Sequence, residues 1–475
     1  MDNASRFYIN GRWVEPFAQN HRDIVNPATE ERIGLVSLGA AVDVDRAVAA
    51  AKAAFQSYSQ TSRQERVVLL RRIVSVYQTR IEDMARAVTL EMGSPHWFAK
   101  SMQTELAMRH FVNAADILEQ YPEPELRGST LLVREPIGVC GFVTAWNWPL
   151  SLIIAKVGPA LAAGCTVVLK PSEFSPLSAT ILAEIIHDAG APAGVFNLVH
   201  GDGPTVGHAI SSHPDVDMVS ITGSTRAGVA VAKAAADTVK RVHQELGGKS
   251  AHIILPDADL STAVPWGVLR SYLNSGQSCE APTRMFVHRR QLDDAADIAQ
   301  MTANAEKVGD PLAADTRLGP LVNRVQFDRV QELIKSGIDE GADMVTGGLG
   351  LPEGLNRGFY VRPTVFAGVT SDMRIAREEI FGPVLSIIAY DSEDQAIKET
   401  NASIYGLAGY VHSRDLDRAR RVASQIRAGR IYVNGAPPDP LAPFGGYKQS
   451  GNGRQNGIFG FEEYLEIKAV IGYSQ

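Results

Sequence analysis

From Pro124 onward, short apolar β-branched runs alternate with helical stretches, and this alternation constrains the fold more than any other feature. Val139–Thr144, Thr166–Leu169, Val195–Val199 and Val216–Ile221 read as strands. Pro149–Ala163, Ser178–Ala189, Pro204–Ser211 and Thr225–Ala236 read as helices. Such alternation implies βαβ units and a parallel, doubly wound sheet. Near Gly247-Gly248 the pattern restarts with Ala251-His252-Ile253-Ile254-Leu255 and runs on to about Tyr447. A second α/β unit is expected there, because 475 residues exceed one simple domain of roughly 100–200.

The first third has a different texture. Asn10-Gly11 between Phe7-Tyr8-Ile9 and Arg12-Trp13-Val14 is a hairpin signal. Asp43 is expected to cap an Ala-rich helix through Phe55. Val67, Leu70, Val74, Tyr77, Ile81, Met84 and Val88 form one apolar stripe, which predicts a single long helix with Arg71, Arg72 and Arg80 on its wet face. Another helical stretch is expected from about Pro95 to Tyr121. At the other end, Tyr464–Ile471 alternates like a half-exposed strand and needs a partner sheet, which another subunit could supply.

Composition excludes several function classes. The net charge of −7 argues against a mainly electrostatic nucleic-acid binder. A 45% apolar content excludes a disordered chain. The most apolar region, Leu150–Leu169, is broken by Lys156, Gly158, Pro159 and Gly164, too often for a membrane span of about 20 apolar residues. Met1-Asp2-Asn3-Ala4-Ser5-Arg6 lacks the basic-then-apolar layout of a signal peptide. The 3 cysteines are Cys140, Cys165 and Cys279, odd in number and far apart. No disulfide framework and no metal site is expected, and the compartment is expected to be reducing, hence cytoplasmic.

Two segments point to a dinucleotide. Gly223-Ser224-Thr225-Arg226-Ala227-Gly228 follows a strand and opens a helix, where a pyrophosphate could meet the helix N-terminus. A plain glycine-capped turn explains it equally well, since Thr225 replaces the middle glycine. Lys170-Pro171-Ser172-Glu173 lies at the carboxyl end of a strand, where parallel sheets bind ligands. It could hold ribose hydroxyls, or be a Pro-stopped surface loop.

Three further residues could carry chemistry. Cys279 lies in the Gly/Ser-containing segment Asn274-Ser275-Gly276-Gln277-Ser278-Cys279-Glu280, while Cys140 and Cys165 fall in or beside buried strands. Buried thiols are usually inert, so Cys279 is the candidate nucleophile. Glu245, before Gly247-Gly248, could project into an interdomain cleft or pair with Lys249. Asn147 could stabilise an oxyanion or cap the helix at Pro149.

Together these segments resemble the aldehyde dehydrogenase superfamily along nearly the whole chain. The resemblance rests on Trp146-Asn147, Lys170–Glu173, Gly223–Gly228, Glu245–Lys249 and Gly276–Cys279, followed in the family's order by Glu378-Glu379-Ile380-Phe381-Gly382-Pro383 and Pro443-Phe444-Gly445-Gly446-Tyr447-Lys448. It implies NAD(P)-dependent oxidation of an aldehyde to an acid. Cys279 as thiolate would attack the carbonyl, and the Asn147 amide with the Cys279 backbone N–H would hold the oxyanion. Hydride loss to the nicotinamide would leave a thioester, which Glu245 would hydrolyse by activating water. Lys170 and Glu173, with Ser172, would lie at the adenosine ribose, and Gly223 and Ser224 at the pyrophosphate. Glu379 would bind the nicotinamide ribose and Phe381 pack at the nicotinamide end, with Gln326 a further ribose contact and Thr144 and Trp146 also cofactor-binding. Trp148, Leu152, Glu280 and Phe444 would line the substrate funnel.

The same resemblance implies a domain map: a Rossmann-like NAD-binding domain of residues 1–117 and 137–247, a catalytic domain of 248–461, and a small β oligomerisation element of 118–136 and 462–475. A homodimer or homotetramer is expected. Glu173 favours NAD over NADP, because a carboxylate repels a 2′-phosphate. The aromatic funnel suggests an apolar or aromatic aldehyde. Glu280 raises the alternative of an amino or ammonium aldehyde. A CoA-acylating enzyme, a non-catalytic structural member and an NAD-independent thiol esterase are further alternatives, the first disfavoured by the hydrolytic base Glu245. Three departures from the family pattern stand out: Ala145 for a proline, Gln244 for an apolar residue, and Glu280 beside the thiol, where a carboxylate would raise the thiol pKa unless it points away.

Overall fold

A computed structural model describes residues 2–474. Its first sheet has eight strands in the spatial order Gly451–Asn452, Arg241–Glu245, Met218–Thr222, Val139–Val143, Thr166–Lys170, Phe196–Leu198, Phe7–Ile9, Arg12–Val14. The five from Arg241–Glu245 to Phe196–Leu198 are parallel. Val139–Val143 and Thr166–Lys170 are buried at every position, as expected where both faces of a sheet are covered. The chain leaves Val139–Val143 toward one edge and returns on its other side at Met218–Thr222. That reversal opens a crevice at the carboxyl ends of these strands.

A second sheet of seven strands follows the restart near Gly247. Its order is Asp343–Thr346, Thr364–Ala367, Val384–Tyr390, Arg284–His288, Ala251–Ile254, Ala408–His412, Arg430–Val433. All its pairings are parallel except the first. The Asn10-Gly11 hairpin forms, with Asn10 and Gly11 at φ 52° and 75°. Among the described residues no helix is long and apolar enough to cross a membrane.

Four expectations need correction. The long apolar stripe belongs to two helices, Arg63–Thr79 and Ile81–Met92. Arg80 breaks the run at φ −115°, ψ 11°, and its guanidinium ties the break to Asp83 and Glu184 at 2.6 and 3.1 Å. The stripe stays continuous because Tyr77, Met84 and Val88 on either side of the break are all buried. Asp43 is not the cap residue but the third residue of the helix Ala41–Tyr58, where its carboxylate accepts the Ala40 N–H at 3.0 Å. The stretch expected from Pro95 is interrupted by a widened π-helical segment, Ala99–Glu105, before Leu106–Gln120. Finally, the C-terminal strand Leu465–Val470 finds its partner within the same chain. It pairs antiparallel with Thr130–Pro136, which also pairs with Glu125–Arg127.

Candidate active site

The segment carrying Cys279 is held in a strained shape. After the helix Leu260–Tyr272, Asn274, Ser275 and Gly276 all take left-handed backbone, with φ of 57°, 57° and 74°. Each such non-glycine residue costs on the order of 1–3 kcal/mol, so the surroundings must impose it. They do so through hydrogen bonds. The Asn274 amide donates to the Asn147 carbonyl at 2.8 Å, and Gln103 donates to Asn274 Oδ1 at 2.9 Å. Ser275 donates to the Gly319 carbonyl at 2.9 Å, and Gln277 Oε1 accepts the Val322 N–H at 3.0 Å. Gly276 has no substitute, since a Cβ there would lie 2.2 Å from the Gly382 backbone.

This clamp brings the predicted residues together. The Asn147 side chain is buried and donates through Nδ2 to the Gln277 carbonyl at 3.0 Å. Trp148 Nε1 donates to Ser278 Oγ at 3.0 Å. Cys279 is half-buried, whereas Cys140 and Cys165 are fully buried. Trp148, Leu152, Cys279, Glu280 and Phe444 all line one cavity of about 250 Å³. Met102, Leu106 and Arg270 line it too and escaped the sequence reading. Met102 and Leu106 are four apart, and that helical spacing was the available signal.

The electrostatics oppose charge at two positions. Burial pushes the Cys279 thiol well above its ordinary value, and the Glu280, Glu379 and Glu245 carboxylates push the same way. Glu245 ends the strand Arg241–Glu245 and is itself buried, which raises its pKa strongly; Lys156, Arg454 and Arg430 partly counter this. One Glu245 oxygen lies 3.3 Å from His243 Nε2, and the other has no partner. The buried Lys156 ammonium is also unpartnered, and burial lowers its pKa to about 8.

The expected dinucleotide residues lie at the carboxyl ends of the parallel strands. Lys170 Nζ donates to the Pro171 and Gly201 carbonyls at 2.8 and 2.7 Å and lies 3.4 Å from Glu173. Ser172 Oγ accepts the Phe174 N–H at 3.2 Å, so that hydroxyl is engaged in its own turn. Ser224 is the N-cap of the helix Thr225–Ala235, accepting the Ala227 N–H at 3.2 Å beside Gly223. Gly228 has a packing reason: a Cβ would meet the Leu246 side chain at 2.6 Å. Thr144 Oγ1 is buried without a partner at the end of its strand, an orphan that fits a bound polar ligand. Glu379 accepts the Gly248 N–H at 3.0 Å, and burial raises its pKa to about 7. Phe381 has φ 61° and meets Trp146 edge-on at 5.4 Å. The Gln326 amide is spent on that loop, donating to the Ile380 and Phe381 carbonyls at 3.0 and 2.9 Å.

A family model described as "Aldehyde dehydrogenase family" matches residues 13–470. The chain belongs to this family. It is therefore an oxidoreductase acting on aldehydes. A relative from Pseudomonas sp., 3-succinoylsemialdehyde-pyridine dehydrogenase, is 53% identical over 474 residues, covering 100% of this chain and 99% of the relative. A cysteine-to-alanine mutant of aldehyde dehydrogenase C from Pseudomonas syringae, solved with NAD+ and octanal, is 55% identical with a TM-score of 0.99, over 99% of this chain and 97% of that one. The aldehyde dehydrogenase of Bartonella henselae is 46% identical with a TM-score of 0.98, each chain covered completely (100% and 100%).

Two departures from the family pattern now have physical accounts. The Gln244 amide donates to the Gly228 carbonyl at 2.7 Å, and its oxygen accepts from Asn452 at 3.0 Å. A polar side chain thus bridges helix and edge strand where this aldehyde dehydrogenase lacks the usual apolar residue. Glu280 is ion-paired with Arg270 and accepts from the Tyr432 hydroxyl at 3.3 Å.

Proposed function

We propose that the chain oxidises an aldehyde with an apolar body to the carboxylic acid, using NAD and water, with Cys279 as nucleophile. One observation carries this reading: the single half-buried thiol lines the same cavity as Trp148, Leu152 and Phe444, beside a buried asparagine amide. Cys279 as thiolate, its proton lost to solvent, would bond to the carbonyl carbon, whose oxygen takes negative charge facing Asn147 Nδ2 and the Cys279 N–H; hydride leaving that carbon would re-form the C=O bond as a thioester. Glu245 would later take a proton from water, and the hydroxide would displace the thiol from the thioester to release the acid. Lys156 supports that role by favouring the ionised carboxylate.

NAD, when bound, supplies the hydride acceptor. Lys170 and Glu173 would hold its adenosine ribose, Gly223 and Ser224 its pyrophosphate, and Glu379 its second ribose. Trp146, Phe381 and the orphaned Thr144 hydroxyl would meet the nicotinamide end. Gln326 acts through Phe381. The charge of Glu173 disfavours NADP, and the relative from P. syringae was solved with NAD+.

The pairing of Glu280 with Arg270 argues against recognition of an ammonium aldehyde, because the carboxylate is already compensated. An apolar substrate also agrees with the octanal held by that relative. Glu245 supports hydrolysis rather than transfer to CoA. Residues 1–117 and 137–247 form the cofactor unit in this reading, 248–461 the catalytic unit, and 118–136 with 462–475 an oligomerisation element. Leu126, Ile467 and Ile471 stand exposed on or beside its three-stranded sheet, which supports a homodimer or homotetramer. A thiol nucleophile works best in a reducing compartment, which supports a cytoplasmic location.

NADH formation without CoA tests the proposal, with octanal and an ammonium aldehyde of similar length as substrates. Octanal should give the higher kcat/KM, NAD should outperform NADP, and Cys279→Ala should give no NADH. Wild-type rates in Cys279→Ala, or a preference for the ammonium aldehyde, would sink the mechanism or the substrate class respectively.

A further inference from the structure

We propose that Arg270 is a positioning residue whose guanidinium holds the Glu280 charge and so shields the neighbouring Cys279 thiol from it. Glu280 is the next residue after the nucleophile, and both side chains line the same cavity. Arg270 reaches Glu280 from the helix Leu260–Tyr272, and the two ion-paired side chains are only 18% and 19% exposed. At that burial an ion pair is screened far less than at the surface.

Two tyrosines complete the clamp. The Tyr432 hydroxyl donates to Glu280 Oε2 at 3.3 Å, and the Tyr410 hydroxyl donates to the Glu280 carbonyl at 2.8 Å. Their rings stack at 5.0 Å with 10° between planes, which fixes both hydroxyls from adjacent strands. Arg270 and Tyr432 thus engage the two carboxylate oxygens of Glu280, one each.

The thiol has little margin for another free negative charge. Burial opposes its ionisation first, then Glu280 even while paired with Arg270, then Glu379 and Glu245. Glu379 feels Lys249 and Arg329, and Glu245 feels Lys156 and Arg454, in each case without a direct ion pair. Glu280 is paired directly with Arg270. The other charged or titratable groups on the cavity wall are Arg109, His110, Arg430 and Asp439. Arg430 donates to the Pro443 and Ala442 carbonyls at 2.9 and 2.5 Å and to the Tyr432 hydroxyl at 3.3 Å, so it reaches Glu280 only through Tyr432. Unpairing Glu280 would thus leave a carboxylate one residue from the nucleophile.

The inference rests on Cys279 as nucleophile, so its test reads the thiol directly. The rate of Cys279 alkylation by iodoacetamide is followed against pH, by mass spectrometry of the Cys279 peptide. The full chain is compared as wild type, Arg270→Met, Glu280→Gln and the double variant. Arg270→Met should move the alkylation midpoint up by about one pH unit, with about tenfold slower alkylation at neutral pH. Glu280→Gln should move it down, and the double variant should lie no higher than wild type. A packing role would slow alkylation equally at every pH, and the double variant would stay as slow as Arg270→Met; either result overturns the proposal. Should Arg270→Met fail to fold, Arg270→Gln is read in its place, and a midpoint no higher than wild type overturns the shield. The expected midpoints in a chain whose turnover survives Cys279→Ala would keep the shield and refute the nucleophile.

Discussion

Two buried glutamates invite comparison because burial raises the pKa of both. Glu91 sits under the start of the helix Pro176–Asp188. It accepts the Leu177 and Ser178 N–H groups at 2.6 and 3.1 Å and the Ser178 hydroxyl at 2.5 Å. Both its oxygens are satisfied, and the free N–H groups of a helix N-terminus are the natural partners of a carboxylate. Glu245, at the end of its strand, has one oxygen near His243 and one with no partner. At Glu91 the hydrogen bonds offset part of the cost of burial and tie two helices together. A buried carboxylate left half-satisfied destabilises the fold, and such groups concentrate where chemistry needs a free lone pair.

The largest expected effect breaks the pair apart. Glu245→Gln should cut steady turnover by about 10²–10⁴-fold, the range for losing a general base. NADH should appear as one burst per site and then stall, read by stopped-flow absorbance. Thermal stability should hold or rise, because the amide removes a buried charge with only one hydrogen bond to lose. A fall in stability with turnover intact would reverse the two roles. Glu91→Ala should do the opposite. Losing three hydrogen bonds should cost about 2–4 kcal/mol by urea unfolding, with kcat of the folded fraction unchanged.

A third effect concerns the clamp on the nucleophile segment. Asn274→Ala removes the donors to the Asn147 and Gln277 carbonyls and strains a left-handed position that alanine tolerates poorly. A loss of about 1–3 kcal/mol in stability is expected, with a kcat fall larger than any rise in KM. Equal kcat would show that the segment holds its shape without Asn274.

These residues also mark what was legible in the sequence. The four expected strands and the helices Pro149–Ala163, Ser178–Ala189 and Thr225–Ala236 followed from local apolar runs to within two residues, while Pro204–Ser211 is π-helical up to Gly207 and the edge strand Gly451–Asn452 gave no signal. Trp148, Leu152, Cys279, Glu280 and Phe444 could be named as companions, and the structure places them on one cavity. Arg80 as a helix break was hidden, because the apolar stripe continues across it. The in-chain partner of Leu465–Val470 was hidden from the local pattern, since the pairing reaches a segment more than 300 residues away, and only the family resemblance grouped 118–136 with 462–475. Gln103 and Asn274 meet across 171 residues, and neither carries a local signal beyond the tolerance of asparagine for left-handed backbone. Lys156 lay inside the expected helix Pro149–Ala163 with nothing to mark it apart, and Arg270 lay in a stretch where no element was expected. Local periodicity reports elements, while the clamps around the thiol are set by tertiary contacts.

The smallest effect tests the comparison through pH. Burial outweighs the hydrogen bonds of Glu91 and raises its pKa from 4.5 to about 7. The folded state therefore favours the protonated form, and this contribution to stability is complete below pH 4.5. It is lost as pH rises through about 7. Glu91→Gln mimics the protonated form at every pH and has nothing further to lose. Its Tm deficit against wild type should therefore shrink between pH 5 and pH 8, by about 2–4 °C for each kcal/mol involved. Glu245→Gln should drift in the same direction, because that carboxylate is raised as well. A deficit that widens with rising pH in Glu91→Gln alone would mean that the helix N-terminus, not burial, governs Glu91. The two glutamates would then differ in sign as well as in satisfaction.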